Sequence, residues 1–327
     1  MDKTLLKKLG NMDQIAGIRE SVLLRGRGEG TKIAEVYNAS GLRFTVLPDR
    51  CMDIYDLSYK GVNISFHSKN GIISPLAFSP SDGEFPEQWP GGMLFTCGLS
   101  NVNLHSVIDG EAFPTHGRIS SVPASDFGTE CFWDGDDYIL RLCGEMHETV
   151  FEGRHLSLKR TIETGLYDSS VRITDTVTNM GPSDEPYMLL YHTNFGSPFI
   201  SKEAECCIKC GKASPLSDNS TDSVHMDQPY DDYKAQKFIA TDFSETGEAE
   251  IINKKLGMGV RLSFTTENLP NMVEWKHMKS HDYCLALEPT NTCGLNREQA
   301  VKENKIACLP PYSSVTNILN LTFRSLS

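Results

Sequence analysis

Short strand-like segments separated by turn residues recur along most of this chain. From about residue 18 onward, segments of alternating or apolar character return about every 8 to 12 residues. Clear examples are Lys32–Tyr37, Arg43–Leu47 and Ile54–Tyr59, with turn sequences such as Asn38-Ala39-Ser40-Gly41 between them. This spacing predicts an all-β sandwich or barrel, because βαβ units would place longer helical segments between the strands.

The same texture continues to the end of the chain. Further predicted strands are Ser21–Leu24, Val62–Phe66, Tyr138–Cys143, Leu156–Glu163, Ser170–Thr178, Met188–Tyr191, Glu248–Asn253, Val260–Thr265, Tyr283–Leu287 and Val315–Phe323. The longest helix candidate lies near Asn296–Asn304, and residues 2–9 can form a short helix that ends at Gly10. We therefore expect an N-terminal helical extension over residues 1–19 and one β domain over residues 20–327.

Composition narrows the classes of partner and location. The chain has 327 residues, and a large β sandwich can use that length as one domain. A net charge of −12 without a basic run disfavours nucleic acid and anionic membranes as partners. No apolar window is long enough to span a bilayer, and the first residues do not resemble a signal peptide. With ten cysteines in a chain of this kind, we expect reduced thiols and a cytoplasmic location.

Two long segments carry few strand signals. Asn70–Pro90 contains four prolines, and Ser214–Lys234 is rich in serine and aspartate. Long loops in compact domains are usually functional or mobile, and we expect the same of these two.

Two apolar stretches far apart in sequence contain residues suited to acid/base chemistry. Leu189–Pro198 begins as a strand and carries His192 and Asn194, while Leu285–Asn291 carries Glu288 before a proline. We predict that His192 and Glu288 lie at strand ends and form an acid/base pair where the fold brings them together.

Several other polar or aromatic residues stand beside strands or turns and are candidates for substrate binding. These candidates are Arg50, Asp53, Asn101, His116, Asn194, Trp275 and Lys276. Four of them have a structural alternative: Arg50 and Asp53 can form an ion pair, a lone histidine such as His116 is usually a surface or satisfied residue, and Trp275 can belong to the core.

The sequence lacks the patterns of several other chemistries. A single CxxC pair, Cys207 to Cys210, has no second pair and no HExxH to complete a zinc site, so no metal is predicted. The segment Glu203–Lys209 is better explained as a strand with buried thiols. No phosphate-binding loop and no GxSxG motif is present.

Taken in order, several of these short motifs resemble the aldose 1-epimerase (galactose mutarotase) superfamily, and most closely its less characterised branch. The motifs are Asp49–Ile54, Gly91–Leu94, Thr115–Arg118, His192–Phe195 and Leu287–Pro289. The resemblance covers roughly residues 20 to 325, and it rests on the serial order of the motifs.

The resemblance implies a β-supersandwich of two large antiparallel sheets with a sugar cleft on one concave face. It implies that Glu288 takes the proton of the anomeric hydroxyl while His192 protonates the ring oxygen from the opposite side of a hexose-sized hollow. His116 would bind the sugar near its ring oxygen. No metal or organic cofactor is implied.

The chain departs from the superfamily pattern at two places. The asparagine–arginine pair expected before the first histidine is not evident, and Asn101, His105 or Arg50 are its candidates. The aspartate expected between His192 and Glu288 has three candidates, which are Asp227, Asp231 and Asp232.

The leading hypothesis is therefore a mutarotase that interconverts sugar anomers. Two alternatives are another epimerase, isomerase or lyase acting on a sugar derivative, and a carbohydrate-binding protein without turnover. The sequence leaves open which sugar is bound and whether the protein is a homodimer. The negative net charge disfavours an anionic sugar, unless Arg50, Arg118 and Lys276 form a local basic patch.

Overall fold

The structure is a computed structural model that describes residues 6–326, and most of its regular structure is β. The strands in these residues are β1 (Gly17–Val22), β2 (Lys32–Tyr37), β3 (Leu42–Leu47), β4 (Asp53–Tyr59), β5 (Val62–Asn63), β6 (Leu94–Leu99), β7 (Ser106–Ile108), β8 (Glu111–Phe113), β9 (Ser125–Asp134), β10 (Asp137–Thr149), β11 (His155–Gly165), β12 (Ser170–Asn179), β13 (Glu185–Gly196), β14 (Ala204–Lys209), β15 (Lys212–Pro215), β16 (Gln236–Thr241), β17 (Thr246–Asn253), β18 (Met258–Thr265), β19 (Asn271–Lys279), β20 (Asp282–Thr290), β21 (Ala307–Leu309) and β22 (Ser314–Ser325). The helices are α1 (Phe85–Gln88) and α2 (Arg297–Lys302), with 3₁₀ turns at Met12–Gln14, Pro75–Ala77 and Ile119–Ser121.

The strands form antiparallel sheets, which confirms the predicted all-β class. A five-stranded sheet has the order β1-β2-β3-β4-β5, and an eight-stranded sheet has the order β14-β17-β18-β22-β12-β11-β10-β9. A seven-stranded sheet has the order β15-β16-β19-β20-β13-β21, with β6 also paired to β13. Strands β7 and β8 form a separate hairpin.

Two large sheets were expected, whereas the described residues form three with five or more strands. Backbone hydrogen bonds connect the five-stranded to the seven-stranded sheet, from Phe66 N to Asn194 O at 3.0 Å and from Gly196 N to Ile64 O at 2.8 Å. The segment after β5 reaches β13 through an isolated bridge between Ser65 and Phe195, so no continuous strand pairing joins the two sheets there.

The eight-stranded sheet has one buried and one solvent-facing side. Strand β10 alternates buried and more exposed residues along most of its length, as expected for a sheet with one face against the core. Its inward residues, such as Leu140 and Leu142, join one large cluster with Phe44 of β3 and Tyr191 of β13. The main core therefore lies between the eight-stranded sheet and the other two large sheets.

The central strands of the seven-stranded sheet are buried on both faces. In β13, Leu189 and Tyr191 belong to the main core, while Met188 and Leu190 belong to a second, smaller cluster on the other face. Successive side chains of a strand point to opposite faces, so His192 shares the face of the smaller cluster. This second face forms the floor of the candidate site.

A buried ion network links the three large sheets. Arg160 of β11 donates to Asp175 of β12 at 2.7 and 2.9 Å and to Asp53 of β4 at 2.9 Å. It also donates to the hydroxyl of Thr96 in β6 at 2.9 Å. The Arg160 side chain is fully buried, and so is that of Asp175. Each large sheet therefore contributes at least one member of this network.

The helix predicted near Asn296–Asn304 is present as α2. Asn296 caps it by accepting a hydrogen bond from Gln299 N, and the Gln299 side chain accepts one from Asn296 N. This reciprocal capping box satisfies backbone donors at the start of the helix.

Residues 2–5 of the predicted helix over residues 2–9 lie outside the described residues. Strand β1 runs across the expected boundary between residues 19 and 20, and Ala16 before it belongs to the main core. The division into an extension and a domain stays a prediction.

Candidate active site

Strand pairing brings His192 and Glu288 together. In the pairing of β13 with β20, Leu190 lies opposite Thr290 and Thr193 lies opposite Leu287. The register does not shift between these pairs, so His192 lies directly opposite Glu288. Opposed residues on one face of an antiparallel pair have Cβ atoms about 4.5–5.5 Å apart, which is within reach for side chains of this size.

The two side chains are in direct contact. His192 Nε2 lies 3.1 Å from Glu288 Oε1, and the two residues are 6% and 4% exposed. The sequence predicted strand ends and opposite sides of a hollow, and both expectations are wrong. Both residues lie inside strands, because these strands continue for several residues past the positions where the apolar runs stop.

Burial shifts the pKa of each group in the direction that favours its uncharged form. Desolvation raises the pKa of the Glu288 carboxyl to about 8, against a smaller opposing effect of the Lys237 charge. Desolvation lowers the pKa of His192 to about 3. Near neutral pH these directions favour an uncharged pair. The Glu288 carboxyl is protonated, and the His192 imidazole is neutral and able to accept a proton from a substrate.

His116 approaches the pair from a turn. Its backbone has a positive φ of 60°, its N donates to Asn103 O at 2.8 Å, and its O accepts from Gly98 N at 3.0 Å. The His116 ring lies 5.7 Å from the ring of His192. Burial and the neighbouring His192 hold the pKa of His116 well below its usual value, so this imidazole is also neutral.

The pair opens into a cavity of about 540 Å³ with aromatic walls. Trp89 and Trp275 lie 5.6 and 5.7 Å from the His192 ring, measured between centroids, and Phe85 lies 5.0 Å from the His116 ring. This volume is in the usual range for small-molecule sites.

The proline-rich segment Asn70–Pro90 supplies part of the wall. Its residues Asn70, Phe85, Pro86 and Trp89 line the cavity, and Asn70 Nδ2 donates to Trp89 O at 2.9 Å. Trp89 was not predicted as a site residue, although this segment was expected to be functional or mobile.

Two lysines and two acidic residues line the cavity: Lys69, Lys237, Asp282 and Glu288. Lys69 and Asp282 form an ion pair at 2.8 Å. The resemblance predicted an aspartate between His192 and Glu288, and Asp282 is the aspartate in this interval that lines the cavity. The three candidates Asp227, Asp231 and Asp232 do not line it.

Of the predicted substrate-binding residues, His116 and Trp275 line the cavity, and Arg50, Asp53, Asn101, Asn194 and Lys276 do not. Arg50 is buried and donates to Ile73 O at 2.7 Å. Asp53 pairs with Arg160 and accepts from Thr96, so it forms a structural ion pair with a different arginine than expected. These contacts give Arg50 and Asp53 roles in holding the fold.

Asn101 and Asn194 hold backbone segments next to the site. Asn101 Nδ2 donates to Leu104 O at 3.0 Å and to Pro114 O at 2.8 Å, which ties together two segments that carry lining residues. Asn194 Nδ2 donates to Gly92 O at 2.8 Å and to His192 O at 2.9 Å. Their amides are therefore occupied by the protein itself.

Lys276 lies on the opposite face of the sheet from Trp275. Its side chain is fully buried, and its Nζ donates to the carbonyl oxygens of Asp222 and His225. The alternation of side chains along β19 explains why two adjacent predicted residues are separated by the sheet.

Lys237 and His277 line the cavity and were not predicted. His277 is two residues from Trp275 on β19, and the two rings stack at 4.9 Å. The alternation along β19 could have identified His277 once Trp275 was chosen. Lys237 carried no such signal, because β16 was not among the predicted strands.

A family model described as a domain of unknown function, DUF4432, matches residues 28–323. The chain belongs to the DUF4432 family. Among curated proteins, none matches this DUF4432 protein at a significant level.

Solved structures share the fold of this DUF4432 protein. A proposed aldose 1-epimerase from Klebsiella pneumoniae has a TM-score of 0.89 and 23% identity, over 96% of this chain and 86% of that one. A galactose mutarotase-like protein from Clostridium acetobutylicum has a TM-score of 0.64 and 16% identity, over 96% and 100%. A galactose 1-epimerase from Lactobacillus acidophilus has a TM-score of 0.59 and 10% identity, over 95% and 100%.

At these identities the comparisons establish the fold. The predicted galactose mutarotase-like fold, and the resemblance to the aldose 1-epimerase superfamily at the level of fold, are confirmed.

Residues 6–326 of this DUF4432 protein contain no helix long and apolar enough to cross a bilayer. They also contain no group of three or more His, Cys, Asp or Glu side chains arranged to hold a metal ion.

Proposed function

We propose that this DUF4432 protein is a sugar 1-epimerase that interconverts the anomers of a monosaccharide by acid/base ring opening. The observation that supports it best is the buried contact between His192 Nε2 and Glu288 Oε1 in the wall of an aromatic-lined cavity. Structural neighbours described as aldose 1-epimerases or mutarotases agree with this assignment.

The contact distance suits this reaction. Ring opening requires a proton to leave the anomeric hydroxyl and a proton to reach the ring oxygen, and both oxygens are bonded to the same carbon. An acid and a base that touch one another can therefore serve both oxygens at once.

The uncharged pair supplies one proton and accepts one. The Glu288 carboxyl protonates the ring oxygen as the bond from that oxygen to the anomeric carbon breaks. His192 takes the proton of the anomeric hydroxyl, whose oxygen becomes the aldehyde oxygen. After rotation of the aldehyde, the reverse transfers close the ring as either anomer and restore the pair. Starting from the ion-paired form, Glu288 and His192 exchange these roles.

The aromatic walls suit a pyranose ring. The faces of sugars present C–H groups, which pack against aromatic side chains such as Trp275 and Trp89. Exclusion of water strengthens the hydrogen bonds that hold the hydroxyl groups during ring opening.

The test is the rate of anomer interconversion in the Glu288→Gln variant. Freshly dissolved α-anomers are followed by polarimetry, with NMR exchange between the anomeric signals as a second measurement. We expect the variant to be about 10²- to 10⁴-fold slower, because glutamine cannot donate or accept the required proton.

Glu274→Gln is a matched control. Glu274 is a buried glutamate on the neighbouring strand β19, its pKa is also raised to about 8 by burial, and it lies on the opposite face of the sheet. We expect this variant to retain the wild-type rate. The proposal fails if a panel of sugars binds but none interconverts faster than in buffer, or if Glu288→Gln is as fast as Glu274→Gln.

A further inference from the structure

We propose that the site takes a monosaccharide with an anionic group, a phosphate or a carboxylate, at the end of the ring remote from the anomeric carbon, and that Lys237 binds this group. The inference rests on the proposed function, which places the anomeric carbon at His192 and Glu288.

Lys237 is the cation of the cavity wall that has no carboxylate partner among the described residues. Lys69 is neutralised by Asp282 at 2.8 Å, and Glu288 contacts His192. The ion pairs found in residues 6–326 do not include Lys237. Lys237 is exposed, and a lysine that lines a cavity without a carboxylate partner is available to bind an anionic group of a ligand.

The register of the sheet sets the distance between Lys237 and the catalytic pair. Lys237 of β16 lies opposite Trp275 of β19, and Trp275 lies opposite Ala286 of β20, two residues before Glu288. Two strand spacings across and two residues along place the Cα atoms of Lys237 and Glu288 about 12 Å apart.

The lysine side chain covers part of that distance, and the remainder is on the scale of one pyranose ring. Trp275 lies between the two groups on the same face, where it can support the ring. A sugar with its anomeric carbon at the pair would therefore present its far end to Lys237.

The backbone of Lys237 is held in place. Its N donates to Ser220 Oγ at 2.8 Å, and its O accepts from Leu216 N at 2.8 Å. The segment Ser214–Lys234, which the sequence marked as functional or mobile, thus anchors the strand that carries this lysine.

The overall charge of −12 does not prevent anion binding at this point. Burial raises the pKa of Glu288, so this carboxyl does not repel an anion near neutral pH, and Asp282 is paired with Lys69. The charge of Lys237 also lowers the pKa values of His192 and Glu288, after the larger effect of burial, which agrees with its position near the pair.

The test compares glucose 6-phosphate, glucuronate and glucose as substrates of the wild type and of the Lys237→Met, Lys237→Arg and Lys234→Met variants. Anomer exchange is measured by NMR as kcat/KM, and binding is measured by calorimetry. We expect the wild type to prefer one of the anionic sugars to glucose, and Lys237→Met to reduce that preference about 10- to 100-fold. Lys237→Arg should keep most of it, and Lys234→Met, on an exposed lysine that does not line the cavity, should keep all of it.

Each outcome bears on one proposal. A preference for the phosphate or for the carboxylate identifies the anionic group. If glucose is preferred, or if Lys237→Met leaves the preference unchanged, the inference is overturned while the epimerase assignment stands. If no sugar is interconverted, the epimerase assignment fails, and the same preference measured by calorimetry decides the role of Lys237.

Discussion

The face of the strand on which a residue lies decides its role in this site. His192 lies between Tyr191 and Thr193, and the Tyr191 side chain belongs to the main core while His192 lines the cavity. Trp275 and Lys276 show the same division on β19. Because alternate residues of a strand face opposite sides, a shift of one position exchanges a cavity residue for a core residue.

The uncharged state of the pair predicts the pH dependence of the rate. Since burial raises the pKa of Glu288 to about 8, the proton donor is present below this pH and lost above it. We expect kcat/KM to fall above about pH 8, by about tenfold per pH unit, because kcat/KM reports the protonation state of the free enzyme. Because the pKa of His192 is lowered to about 3, we expect no fall between pH 7 and pH 5.

A rate profile from pH 5 to pH 10 measures this prediction, with Glu288→Gln as the control that should lose the decline near pH 8. A rate that stays level to pH 10, or one that falls below pH 6.5 as for an ordinary histidine, would contradict it. The pKa value that this profile reports belongs to the pair as a unit.

At the scale of elements, the close packing of a turn against β6 positions His116. Gly98 of β6 and Gly117 form an isolated bridge, and Arg118 N donates to Gly98 O at 3.0 Å. Gly117 has a φ of +74°, and a Cβ on it would lie 2.7 Å from Asn101 O and closer still to Gly98 O. The approach that brings the His116 ring to His192 therefore requires a glycine at residue 117.

We expect Gly117→Ala to destabilise the protein by more than about 2 kcal/mol, because backbone strain and a steric clash add. It should also lower the rate of anomer exchange, since His116 is displaced. Gly110→Ala is the matched control: its φ is +83°, and no atom lies within 4 Å of the added Cβ. Urea unfolding measures the free energy of unfolding of the two variants. Equal decreases in the two would show that the clash with β6 contributes nothing.

At the scale of the molecule, the buried network around Arg160 fixes the sheets relative to one another. Its members come from all three large sheets, and burial raises the pKa of Asp53 to about 6 even beside the arginine. A buried ion pair adds little net stability over apolar packing, but removal of one partner leaves a buried charge without compensation.

We expect Arg160→Met to lower the free energy of unfolding by about 3–5 kcal/mol. Arg141 of β10 is a control on the neighbouring strand, since it is 37% exposed and pairs with Glu163 at 2.7 Å. Arg141→Met should cost at most about 1 kcal/mol. Denaturant unfolding gives the free energy of unfolding of the two variants. Similar decreases in the two would mean that the network does not hold the sheets together.

The sequence was most informative where a strand has one buried face. Lys32–Tyr37 was predicted with the bounds that the structure has, and β10, β11, β12 and β22 were each recognised within a longer strand. Alternation is a local property of the chain, so it can be recognised without knowledge of strand partners. The segment Val62–Phe66 was predicted too long, because β5 ends at Asn63 where the chain crosses to β13.

The central strands β13 and β20 show what local patterns omit. Both are buried on two faces, so their sequences are continuous apolar runs with a few polar residues at the cavity. The polar residues were mistaken for strand ends, because nothing local shows that His192 and Glu288 face a second buried surface. For the same reason, Arg50, Asp53 and Lys276 were predicted as substrate-binding residues although they do not line the cavity.

The sequence by itself determined the all-β class and the identity of His192, Glu288, His116 and Trp275 as residues that could share a site. The tertiary structure decided that His192 and Glu288 are in contact and that Asp282 and Lys237 line the same cavity. It also decided that Asp53 forms its ion pair with Arg160. The reason is physical: periodicity is set by neighbours along the chain, whereas register between strands a hundred residues apart is set by the packing of whole sheets.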